Sequence, residues 1–186
     1  MKGWMTLAMA LVAGSAVAQE QALLCYNYGC QVRMMVGYGP MQLEPARAAL
    51  LLANDPESER EVLAEVVGWL YLWAGTRSPI YADRPGDLAD DPVDGRMDCI
   101  DHAASTTELL RMLERRGWLR YHRVMETVRR TKFIFEHYSA VVEEVPEEST
   151  EAPARFVVDS WFGEHGDPAV ILPLDEWLDG GGPNVP

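Results

Sequence analysis

Apolar residues recur at helical spacing in three stretches of the chain and change to a strand-like pattern in its last third. Val62, Leu63, Val66, Val67, Leu70 and Trp73 mark one face of a helix that Asp55 caps, Pro56 opens and Gly75 stops. Just before it, Pro45 to Ala53 reads as a short helix with Pro in its first turn and Asn54 at its end. Ile100, Ala103, Thr107, Leu110 and Leu113 form a third inward stripe, begun by Asp98 as N-cap and finished before Gly117. Beyond that helix, residues 137–142 (HYSAVV) and 155–161 (RFVVDSW) are strand-like, and the acidic, Pro-containing segment between them predicts a β-hairpin. Residues 76–96, with Pro79, Pro85, Gly86, Pro92 and Gly95, have loop composition without being a domain boundary, because neither flank is self-sufficient. Long loops of this kind often line functional sites.

Composition narrows the picture to one folded domain. The chain has 186 residues, 48% of them apolar, which suits a full hydrophobic core and excludes intrinsic disorder. A net charge of −13 argues against nucleic acid and anionic membrane surfaces as partners, since both demand clustered Lys and Arg. Residues 1–18 place Lys2 before an apolar run and end in Ala16-Val17-Ala18, a secretory signal whose removal leaves a single domain over residues 19–186. The apolar run is too short to span a bilayer, no later segment is apolar enough to do so, and no Cys follows Ala18 to take a lipid. A periplasmic or secreted protein is the expectation.

Export makes the three cysteines informative. Cys25 and Cys30 flank a turn-compatible segment and are expected to form a disulfide, which leaves Cys99 as the odd thiol. Such a thiol is either a small buried hydrophobe or a nucleophile. Cys99 falls in the first turn of the third helix, where free N–H groups and the helix dipole favour a thiolate, while Asp98 and Asp101 oppose it, so a nearby imidazolium would have to tip the balance. In the predicted hairpin, His137 at the start of one strand lies close to Asp159 near the end of the other. Cys99 as nucleophile, His137 as base and Asp159 as its orienting carboxylate make up the set needed for thiol acyl transfer.

Other residues read more blandly. His102 is a helical neighbour of Cys99 but poorly placed to serve both the thiol and a leaving group, and His122 and His165, outside any paired strand pattern, read as residues of the surface or of the site's surroundings. Trp161, Phe162 and Trp177 read as core or cleft wall, and Met34-Met35 as filler of apolar space. No metal site and no cofactor are expected: Asp98, Cys99, Asp101 and His102 point in different directions on a helix, and no CxxC or HExxH spacing occurs.

The segments GRMDCIDHAASTTELLRMLERRGWL, EHYSAVV and FVVDSWFGEHGDPAVILPLDEW resemble the bacterial transglutaminase-like cysteine proteinase family, within the wider papain-like and transglutaminase-like group. The resemblance covers roughly Ser58 to Gly180. It implies an α+β fold with N-terminal helices and the Cys-bearing helix packed on an antiparallel sheet, with Cys99 as nucleophile, His137 as base and Asp159 as the residue that orients it. Ile100-Asp101-His102 stands where the family commonly has an acidic pair and an aromatic, and no glutamine is recognisable as oxyanion donor, which assigns that role to the Cys99 backbone N–H. The implied substrate is a protein or peptide carboxamide, cell-wall peptides included. A non-catalytic binding or scaffold protein that keeps the fold is the alternative.

Overall fold

A computed structural model describes residues 19–86, 93–132, 134–146 and 152–183; the signal expected at residues 1–18 lies outside them. The fold is α+β. Two strands, β1 (Glu20–Tyr26) and β2 (Val32–Tyr38), form an antiparallel hairpin, followed by helices α1 (Pro40–Leu52), α2 (Pro56–Gly75) and, after a 3-10 turn at Pro79–Ala82, α3 (Cys99–Arg115). The chain then builds an antiparallel sheet from β3 (His122–Val124), β4 (Val128–Lys132), β5 (Phe135–Glu144), β6 (Arg155–Asp159) and β7 (Val170–Pro173), and closes with α4 (Leu174–Leu178). The strand order is β3-β5-β6-β7, with β4 pairing the same strand β5 that β3 pairs. Among the described residues no helix is long and apolar enough to cross a membrane.

Helix α2 starts and stops where its signals lie, with Asp55 accepting from the Ser58 N–H and Pro56 at the first position. Helix α1 begins five residues earlier than expected, at Pro40 rather than Pro45. Pro45 sits inside it, and the hydrogen bond it omits would have gone to Met41, a residue 85% exposed whose carbonyl solvent can satisfy. The stripe of α3 is wider than its period suggests, because the helix packs between the β1–β2 hairpin and the main sheet: Ser105, Thr106, Leu109 and Met112 are buried along with Ala103, Leu110 and Leu113. Ile100 faces outward instead. The β1–β2 hairpin was not legible from periodicity, and of the two methionines in β2 only Met34 packs on the core, while Met35 is exposed.

Strand β5 is buried on both faces, and its alternation sorts the structure into two layers of side chains. Ala140 and Val142 join Val158 in the main core beneath α2 and α3. Val141 and Val157 face the other way and pack with Trp177 of α4, which is fully buried. The register Ala140↔Val158 and Val141↔Val157 places the start of β5 beside the end of β6, on the Trp177 side for odd-numbered residues. His137 and Asp159 therefore share that layer.

The disulfide Cys25–Cys30 closes the β1–β2 turn, in which Asn27, Tyr28, Gly29 and Cys30 all adopt left-handed conformations, with φ of 66°, 59°, 61° and 56°. Three of these are not glycine, so the turn needs compensation from its surroundings. It comes from the start of α3, as the site geometry shows. Alkylation of the unreduced, denatured protein should label Cys99 and leave Cys25 and Cys30 untouched, read by peptide mass; labelling of all three would remove the disulfide.

Candidate functional site

Three elements bring the site together. Cys99 opens α3, with Asp98 as N-cap accepting from the Asp101 N–H at 2.9 Å and Asp101 accepting in return from the Asp98 N–H at 3.2 Å. Both carboxylates also receive backbone N–H groups from the left-handed turn: Gly29 donates to Asp98 at 2.8 Å and Cys30 to Asp101 at 2.6 Å. Successive left-handed residues aim their N–H groups to one side, which makes the turn a receptor for anions. Burial first and Asp98 second push the Asp101 carboxyl up to about 6, against the N–H groups that favour its charged form. Gly95 completes the approach to the helix. Its φ is +96° and a Cβ there would lie 2.0 Å from the Pro79 carbonyl oxygen, so only glycine fits.

His137 from β5 and Asp159 from β6 meet as the register requires, with His137 Nε2 at 2.7 Å from Asp159 Oδ2. The same carboxylate accepts from Trp177 Nε1 at 3.0 Å, and its other oxygen from the Trp161 N–H at 3.2 Å. Asp159 is 2% exposed, and these contacts replace its water. The imidazole is packed among three aromatic rings, Trp161, Phe162 and Trp177, with centroids 4.5, 5.4 and 5.4 Å from its own. With Nε2 committed to the carboxylate, Nδ1 is the nitrogen left for chemistry.

Cys99 and His137 line one cleft of about 310 Å³ with Arg130, Lys132, Phe135, Glu136 and Trp161. The thiol is half-buried against the backbone of β5, 3.9 Å from the Glu136 carbonyl oxygen. Burial pushes it up to about 11, with Asp98 and Asp159 adding to the rise and the Tyr138 N–H opposing it. This reverses the expectation of a thiolate favoured by the helix start, because desolvation and two carboxylates outweigh the helix N–H groups.

His102, the rival base one turn along α3, points away from the cleft. Its Nε2 lies 2.9 Å from Asp83 Oδ2 and its Nδ1 2.8 Å from Ser160 Oγ, and both His102 and Asp83 are buried. Asp83 Oδ1 accepts from the Met97 N–H at 2.9 Å. Burial works to lower the pKa of His102, but the charge and hydrogen bond of Asp83, with Asp159 and Asp101 beyond, more than reverse this and raise it above its ordinary 6.5. Ser160 Oγ in turn lies 2.9 Å from Thr106 Oγ1, Thr106 Oγ1 lies 3.0 Å from the Tyr71 hydroxyl, and Tyr71 donates to the His102 carbonyl at 3.4 Å, so the contacts of His102 close into one buried network. Sequence reading missed Asp83 altogether. Its only signal is a position in a Pro-rich segment with four other aspartates.

The remaining sequence-level candidates fall elsewhere. His122 is 2% exposed, so it is not a surface residue: it lies 3.4 Å from Glu59 and edge-on to Phe156, which packs against the main core. His165 is half-buried against Tyr71, and desolvation lowers its pKa. Of potential metal ligands, the Cys25 and Cys30 sulfurs and the Asp101 carboxylate lie within 4.8 Å of one another, but the sulfurs are spent on their own bond. No family model, curated protein or solved structure matches the chain.

Two outcomes follow from these environments. The rate of Cys99 alkylation by iodoacetamide should stay low at neutral pH and rise toward pH 11; a plateau reached by pH 8 would contradict the burial argument. Because the folded pKa of His102 exceeds its unfolded value, its contribution to stability is complete below about pH 6.5 and is lost as the pH climbs through the folded value. Asp83→Asn should cost about 3–5 kcal/mol at neutral pH, the usual range for breaking a buried pair. Denaturant unfolding across pH 5–9 checks both the size and the slope.

Proposed function

We propose that the protein is an exported thiol acyl-transfer enzyme, a cysteine peptidase, amidase or transglutaminase-like protein acting on protein or peptide carboxamides. The observation that carries this is the His137–Asp159 pair, 2.7 Å apart inside an aromatic shell, on the wall of the cleft that also holds the Cys99 thiol. An α+β arrangement with a Cys-bearing helix beside an antiparallel sheet agrees with the family resemblance of residues 95–119 and 156–177. The disulfide suits an oxidising compartment and supports a periplasmic or secreted location.

The reaction follows from the positions. Asp159 holds the proton on His137 Nε2, so Nδ1 presents a lone pair. As Cys99 Sγ attacks the carbonyl carbon, Nδ1 takes the thiol proton, and the oxyanion that forms faces the Cys99 N–H, which has no acceptor within its own helix. The C–N bond breaks as the imidazolium returns the proton to the departing amine, leaving a thioester on Cys99. His137 then deprotonates a water that attacks the thioester carbonyl, the C–S bond breaks to release the acid, and the imidazolium returns the proton to the Cys99 sulfur; an amine in place of water gives transfer. Since the resting thiol is neutral at physiological pH, His137 acts as a general base in concert with attack, and no preformed thiolate is required.

That same raised thiol favours the second reading, a binding or scaffold protein with an unreactive cleft. A peptide thioester donor separates the two. The enzyme should acquire the acyl mass on Cys99 and release it with time, while His137→Ala and Asp159→Asn slow acylation by about 10²–10⁴-fold without loss of cooperative unfolding. Absence of any acylated Cys99 in a folded wild-type protein, with the thiol titratable after unfolding, would establish the binding reading instead.

A further inference from the structure

Lysine occurs twice in the chain, at Lys2 and Lys132, against fourteen arginines. Lys132 is the last residue of β4 and lines the cleft that holds Cys99 and His137. The other charged side chains of that cleft already have partners. Glu136 is bound to Arg129 at 2.7 Å, Asp159 to His137, and Arg130 donates to the carbonyls of Trp177 and Gly181 while lying over the Trp177 ring. Among the described residues, Lys132 has no ion pair and no hydrogen-bond partner. Its ammonium lies beside Gly180. A Cβ on Gly180 would lie 2.9 Å from Nζ, and Gly180 holds a φ of +102° that side chains rarely adopt, so the ammonium lies against bare backbone at 180.

A basic side chain with neither ion pair nor hydrogen bond among the described residues stands out in a protein of net charge −13, where carboxylates outnumber basic groups by 29 to 16. Beside it stand Phe135, 66% exposed, and Trp161, which offer apolar surface to a ligand. We infer that Lys132 recognises a carboxylate on the acyl donor, so that the substrate is an acidic peptide whose negative group lies next to the carbonyl presented to Cys99. The identity of the reaction rests on the thiol acyl-transfer reading; the binding preference itself does not. The carboxylate could be an Asp or Glu side chain or the free C-terminus of a peptide, and the two are separable by experiment.

Reductive ¹³C-methylation keeps the charge of lysine and gives Lys132 an NMR signal assignable by comparison with Lys132→Arg. In folded Cys99→Ser protein, three peptides are titrated against that signal: one with an internal Glu and an amidated C-terminus, its Gln counterpart amidated, and the Gln counterpart with a free C-terminus. The expected result is saturable shifts with the acidic peptides at about fivefold lower concentration than with the neutral one, a margin abolished by Lys132→Gln when binding is followed by changes in Trp fluorescence. Whichever acidic peptide is favoured identifies the source of the carboxylate. Equal binding of all three, binding of none, or a preference that survives Lys132→Gln would overturn the inference. Failure of wild-type Cys99 to accept an acyl group from a thioester, with the acidic preference intact, would instead count against the acyl-transfer reading alone.

Discussion

The buried pair of Asp83 and His102 is the constraint on which the site depends. A carboxylate 1% exposed, in a segment of loop composition, is tolerable only with a counter-charge and full hydrogen bonding. His102 takes one oxygen, its pKa raised by that same carboxylate, and the Met97 N–H fills the second. Three segments are thereby tied at one point: the chain at 83, the entry to α3 two residues before Cys99, and Ser160, adjacent to Asp159. The Gly86 N–H to the Trp161 carbonyl, at 3.1 Å, reinforces the same junction. Cys99 and Asp159 lie on elements that share no backbone pairing, so their relative position is set largely through this ion pair and the packing of α3 on β5.

A second carboxylate problem is solved at the same helix end. Asp98 and Asp101 give α3 a reciprocal cap, but burial and the nearby Asp98 make the charged form of Asp101 costly. The left-handed turn offsets it with backbone N–H groups, and the energy that three non-glycine residues spend in that conformation is returned by these charge-assisted bonds. The consequence for Cys99 is a thiol that stays protonated. A thiolate beside Asp98 and Asp159 would sit in a field of like charge, so in the proposed reaction charge on sulfur arises only as His137 becomes positive next to it.

What was legible in the sequence divides along the range of the forces involved. Helix α2, the extent of α3 and the β5–β6 pairing depend on local caps and periodicity, and they stand where those signals place them. The conjunction of His137 and Asp159 follows from antiparallel register alone. By contrast, the turn at residues 27–30 is held by a carboxylate 69 positions away, and nothing in residues 19–41 foretells it. Asp83 reads like any solvated aspartate of its segment, since its burial is imposed by α3 and Ser160. Trp177 sits on a helix of five residues, too short for a periodic signal, yet it supplies both a wall for His137 and a donor to Asp159.

Burial on both faces of β5 also decides how the cleft works electrically. The aromatic shell keeps water from the His137–Asp159 bond, which strengthens it in a low-dielectric surrounding. At the mouth, where β4 ends and β5 begins, the balance is different: Lys132 and Phe135 are solvent-exposed, and an exposed ammonium acts at contact range. The field of the whole molecule opposes an anionic ligand, because the net charge is −13, but screening confines exposed charges to about 8 Å at physiological ionic strength. Long-range repulsion and short-range attraction thus act at different distances. Added salt relieves the first before it abolishes the second, so a carboxylate-bearing peptide would be chosen by its fit in the cleft and not by steering toward it.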